Sequence, residues 1–111
     1  MTIQYKSEVF DLTTNNLTTV LTIATSAIAI VKTVQASHID ASNVNVDLYI
    51  KKAGGNNTEI SHAQLNKSTV NLIVDTLNLE AGDAIKIQAA SANEITGVVS
   101  YALIDRSQQN G

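Results

Sequence analysis

Residues 43–52 read as the clearest strand, with apolar and polar side chains alternating as far as Lys51. Val44, Val46, Leu48 and Ile50 fall on one face, and Asn45, Asp47, Tyr49 and Lys51 on the other. A period of two marks a strand with one buried face, not a helix. The run ends at Ala53, Gly54, Gly55, Asn56 and Asn57, where the glycines and asparagines tolerate positive φ, so a hairpin turn is predicted. Residues 58–65 form the return strand, with Ile60 pointing inward. Val70, Leu72 and Val74 then alternate with Asn71, Ile73 and Asp75. Residues 80–83 make a tight turn, with Gly82 supplying the backbone freedom. Ile85, Ile87 and Ala89 oppose Lys86 and Gln88 on the next strand, and residues 91–94 turn the chain again. In the last run Val99, Tyr101 and Leu103 share one face, while Val98, Ser100, Ala102 and Ile104 share the other. That strand is predicted to be buried on both sides for part of its length.

The first third alternates less cleanly. Residues 3–12 read as an opening strand with Tyr5, Glu8 and Phe10 around its middle. Residues 17–23 and 27–36 read as two further β-rich runs, because Thr and Val at close spacing disfavour a helix there. The total is about eight short strands at the spacing of a sandwich or barrel. No capping box leads into an apolar run of period 3.6. The expected fold is all-β: a single antiparallel β-sandwich, jelly-roll or immunoglobulin-like. One domain spans 1–111, with 1–16 an N-terminal edge strand or arm and 106–111 a polar tail.

Composition narrows the function. The chain has 111 residues, 44% of them hydrophobic but only 15% charged, so Thr, Asn, Ser and Gln make up most of the polar surface. Such a surface costs less to desolvate than a charged one and suits packing against other proteins. The net charge is -3 and Lys51-Lys52 is the one basic pair, which argues against nucleic acid. There is no cysteine, so disulfides and thiolate metal sites are excluded. No apolar run is long enough to span a bilayer, and residues 1–12 lack the basic and apolar regions of a signal peptide. No membrane partner is expected, and synthesis in a cytoplasm is.

Candidate chemistry is sparse. His38 and Asp40 lie two apart and would share one side of an extended segment, and His62 is the one further histidine. Three such ligands converging would make a metal site; surface or loop positions for both histidines are the expectation. No nucleophile elbow of the form G-x-S-x-G occurs, and no enzymatic activity or cofactor is expected. Glu80 and Asp83 are too few for a calcium loop, so Asp83 is expected to accept hydrogen bonds from nearby backbone amides. With no Trp, three Tyr and one Phe, an aromatic sugar platform rests on Tyr49, which is the better fit for a covered sheet edge or an interface. Tyr49, Lys51 and Lys52, taken to lie on the outward face of the clearest strand, are the candidate protein-contact residues.

Two segments carry a family resemblance. Residues 29–55, "AIVKTVQASHIDASNVNVDLYIKKAGG", and 77–105, "LNLEAGDAIKIQAASANEITGVVSYALID", resemble a group of small tailed-phage virion proteins across residues 19–105. The most specific pieces are Leu79-Glu80-Ala81-Gly82-Asp83 with Ile85, Ile87, Ala89, Ala92-Asn93 and Ser100-Tyr101, and Ile30-Val31-Lys32. Members often carry a "vPa" turn before the second of these; here the place reads "TIATSAIAIVK", without proline. The resemblance implies a virion structural protein of head, neck or tail. A decoration or cement protein is the leading expectation: it would bind the major capsid protein or other virion proteins as a homo-oligomer, trimers being a common arrangement. A carbohydrate-binding attachment module is the rival.

Overall fold

The computed structural model describes residues 2–38, 43–65, 69–73 and 76–105. Among these residues there are nine strands and no helix: β1 (Thr2–Leu12), β2 (Thr18–Thr22), β3 (Ala27–His38), β4 (Val44–Lys51), β5 (Asn57–Leu65), β6 (Thr69–Ile73), β7 (Leu77–Leu79), β8 (Ala84–Ala89) and β9 (Ile95–Asp105). One sheet runs β1-β9-β3-β6, with β7 also paired to β3; the other runs β2-β8-β4-β5. All pairings are antiparallel. β6 and β7 occupy successive lengths of β3, against residues 34–37 and 29–31. The fold is the expected all-β sandwich.

The period-two pattern explains the layering. Val44, Val46, Leu48 and Ile50 of β4 and Ile85, Ile87 and Ala89 of β8 face inward from the four-stranded sheet. Phe10, Leu12, Val31, Val34, Val99 and Tyr101 meet them from the other. Burial of these side chains is the main stabilising term, at about 25 cal/mol per Å² of apolar surface. β9 lies between β1 and β3 and is covered on both faces near its middle, where adjacent Tyr101 and Ala102 are both buried.

Two bulges shift the phase of the alternation. In β3 the pairing with β9 slips between Val31 and Thr33, so inward positions change from odd (Ala29, Val31) to even (Val34, Ala36, His38). His38 is therefore buried at the end of a strand, not on the surface or in a loop as expected. In β5 the pairing with β4 slips, Leu48 facing Ser61 and Tyr49 facing Glu59. Ile60 falls between them and is 45% exposed, which corrects its inward assignment. An extra residue on one strand has no partner and re-aims its neighbours.

The turns form without proline. The Ala27 N–H donates to the Ala24 carbonyl at 3.1 Å, closing the turn that leads into β3. Gly82 has φ +81°, and a Cβ there would stand 2.9 Å from the Ala53 Cβ; both the conformation and the space require glycine.

Candidate protein interface

The two outward faces of the sandwich differ in chemistry. On the four-stranded sheet the outward positions of β4 carry Asn45, Asp47, Tyr49 and Lys51, flanked by His62, Glu59, Lys86 and Gln88 across the register. On the five-stranded sheet the outward positions stack in rows across β1, β9 and β3: Ile3–Ile104–Ile28, Tyr5–Ala102–Ile30, Ser7–Ser100–Thr33 and Val9–Val98–Gln35. Ile3, Tyr5 and Val9 are 53%, 79% and 78% exposed. Ile28, Ile30, Val98 and Ile104 are half-buried. Ala102 is buried, lying between Tyr5 and Ile30 in its row. Lys32, at the β3 bulge, places its Nζ 5.6 Å from the Tyr5 ring centroid, within the range of a cation–π contact. Two adjacent rows, Ile3–Ile104–Ile28 and Tyr5–Ala102–Ile30, make an apolar patch, the polar row Ser7–Ser100–Thr33 separates it from Val9 and Val98, and the strand supplying the most exposed residues is an edge.

The turn residues form a second cluster. Asp83 is fully buried. Its Oδ1 accepts from the Ala53 N–H at 3.1 Å and its Oδ2 from the Glu80 N–H at 2.8 Å. Lys52 donates to Asp83 and, at 2.7 Å, to Glu80. Burial alone would push the Asp83 carboxyl up; the bonds from Lys52, Glu80 and Ala53 outweigh it and hold it below the ordinary carboxylate range. Asp83 thus accepts from a nearby backbone amide, that of Glu80, as the sequence predicted, and in addition ties the 80–83 turn to the 53–55 turn.

The third cluster is Asp47, Glu59 and His62 on the polar face. One ligand atom from each lies within 4.8 Å of the others. His62 Nδ1 pairs with Asp47 and stands 3.7 Å from Glu59. The hydrogen bond to Asp47 raises the imidazole from its ordinary value, and a hydrogen bond to Asp47 also raises the Glu59 carboxyl. The contact with Asp47 favours the protonated imidazole, which is the form that does not bind a metal. Beside them a groove of about 350 Å³ is lined by Asn15, Asn45, Asp47, His62 and Gln88. No aromatic ring forms its wall, although a sugar platform would place Tyr49 there.

His38 and His62 are not brought together: one points inward from β3, the other outward from β5 in the opposite sheet. Asp40 lies outside the described residues, as does the tail 106–111. Tyr49 is half-buried on the polar face between Glu59 and Lys86; burial first, then Glu59 and Asp47, raises its phenol. Lys51 stands on the same face, and Lys52 is engaged by Asp83 and Glu80. The sequence reasoning overlooked the apolar face of the five-stranded sheet. Its signal was the second apolar set on the last strand, Val98, Ala102 and Ile104, together with Ile28 and Ile30.

No protein-family model and no curated protein matches the chain. Among solved structures it is similar to a chain from the acid-stable capsid of Helicobacter pylori bacteriophage KHP30, with TM-score 0.61 and 12% identity, covering 96% of this chain and 90% of that one. It is also similar to a chain of the disulfide-linked pili of Bacillus endospore appendages, with TM-score 0.57 and 13% identity over the same shares. These likenesses establish the fold.

Proposed function

We propose that the chain is a structural component of a phage particle, and within that class a decoration or cement protein that binds the outside of an assembled head. The observation that carries this reading is the apolar outward face of the five-stranded sheet. The core already fills the space between the sheets, so folding does not require Ile3, Tyr5, Val9, Ile28 and Ile30 on the outside. Apolar side chains gathered outside the core, here two adjacent rows with Val9 and Val98 beyond one polar row, signal an interface. Its occupant is the major capsid protein or another virion protein, and many equivalent contacts stabilise the shell by mass action.

The strand pairing supports the same reading. With β6 and β7 counted as one interrupted strand, the pairs are first with last, second with second-last, third with sixth and fourth with fifth. That is one long hairpin rolled into two sheets, the jelly-roll arrangement found in viral capsid and lectin domains. The two similar structures described above come from assemblies, a capsid and a set of pili. The pili are disulfide-linked, and a chain without cysteine cannot be joined that way, which favours the particle over the fibre. No catalytic role is proposed. A neck or tail ring would use the same face, and copy number separates it from decoration.

The test is rebinding. Purified protein added to particles that lack it should co-sediment saturably. Ile28→Lys and Val98→Lys, each placing a charge on the apolar face, should abolish binding while leaving the melting temperature near that of the parent. Binding unaffected by both substitutions would refute this face as the contact.

A further inference from the structure

Among the described residues nothing pairs with the outer edge of β1. β1 ends the order of its sheet, runs eleven residues without a register slip against β9, and is exposed at every residue from Ile3 to Val9. A long, regular edge with unpaired N–H and C=O groups is a template for another strand; proline and bulges that would blunt it are absent from β1, and the charges that would keep a strand away, Lys6 and Glu8, carry opposite signs that a matching strand can pair. We infer that a second copy of this chain pairs on it, β1 against β1 antiparallel about a two-fold axis through Ser7, joining the two five-stranded sheets into one.

Symmetry limits the registers. Residues directly opposed across an antiparallel ladder share a face, so the two-fold passes through a residue that opposes itself. An axis at Lys6 opposes two lysines, and an axis at Glu8 opposes two glutamates. An axis at Tyr5 pairs Lys6 with Gln4, and one at Val9 pairs Lys6 with Leu12. The axis at Ser7 places Lys6 opposite Glu8 of the partner subunit and Tyr5 opposite Val9 of the partner subunit, each twice, around a small central pair. Opposite-charge and aromatic–β-branched pairs are the favoured cross-strand combinations. Of these registers it alone matches charge with charge. The interface is isologous and closes at two copies. The two-fold stands perpendicular to the sheet, so the apolar faces of both copies point the same way and form one doubled surface.

The test uses the full chain. Sedimentation velocity over about 1–100 µM, a range that reads micromolar association, should show a dimer. Lys6→Glu alone and Glu8→Lys alone each oppose like charges and should weaken it at least about tenfold. The double exchange Lys6→Glu/Glu8→Lys restores opposite signs and should recover the parental affinity. Ser7→Cys adds the chain's one thiol and should give a disulfide-linked dimer under mild oxidation, because directly opposed Cα atoms lie about 4.5–5.5 Å apart. Lys6→Cys should not, since its two copies would stand about 8 Å apart, two residues out of register. A monomer throughout, a trimer, a dimer indifferent to the single exchanges, or efficient cross-linking at position 6 would each overturn the pairing. Dimers in solution with no incorporation into particles would leave the pairing standing and remove the virion role.

Discussion

Replacing Asp83 by alanine should destabilise the protein by about 3 kcal/mol. The side chain is fully buried and accepts two backbone N–H groups, from Ala53 and Glu80, besides the Lys52 ammonium. Hydrogen bonds to a charged group contribute about 1.5–3 kcal/mol each. Ala53 and Glu80 are themselves exposed, so water replaces part of what their amides lose, and the low end of the two-bond sum applies. For a domain of this size that is a fall in melting temperature of about 12 °C, readable by circular dichroism. The pH dependence has a definite sign. A carboxyl held below its unfolded value near 3.9 contributes stability that is present above that pH and lost as pH falls through the folded value. The gap between parent and Asp83→Ala should therefore narrow in acid. A loss under about 1 kcal/mol at neutral pH, the scale of an ordinary surface change, or a gap that widens in acid, would refute the role given to Asp83.

Gly97→Ala should cost about 3 kcal/mol in urea unfolding, because the new methyl would lie 2.1 Å from the Gln35 carbonyl oxygen and 2.3 Å from the Phe10 ring, an overpacking that backbone cannot yield to. Leu48→Ala should cost about 3 kcal/mol and leave a cavity, whereas Ile60→Thr should change stability by less than about 0.5 kcal/mol; equal losses at the two would contradict the β5 bulge. His62 should titrate above its ordinary value by NMR, and Asp47→Asn should bring it down. The pair adds stability below pH about 6.5 that is lost as pH rises through the folded value.

The strands were legible because period-two alternation is a local property, and Val44–Ile50 and Ile85–Ala89 turned inward as the pattern required. The turns at Gly54 and Gly82 were legible for the same reason, since positive φ is demanded of particular residues. The bulges were not. Nothing in "TEISHAQL" marks Ile60 as an extra residue, since a bulge reflects how β5 lies along β4 rather than what β5 contains. The slip after Val31 likewise turned His38 inward, where strict alternation from Ala27 would have turned it out. The candidate interface was the harder matter. In β1 the odd positions Ile3, Tyr5 and Val9 look like a core face, but Phe10 and Leu12 are the residues that face the core. Which face is which depends on β9 lying beside β1 at the far end of the chain, and that is a fact of topology. The polar face, with Tyr49 and Lys51, drew attention because its strand was the clearest, not because its chemistry was the most adhesive.

The most direct measurement is quantitative mass spectrometry of purified particles, with this chain counted against the major shell protein. A decoration protein predicts hundreds of copies, since an icosahedral shell alone offers that many equivalent sites. About a dozen copies would move the chain to a neck or tail ring, and its complete absence would contradict a virion role.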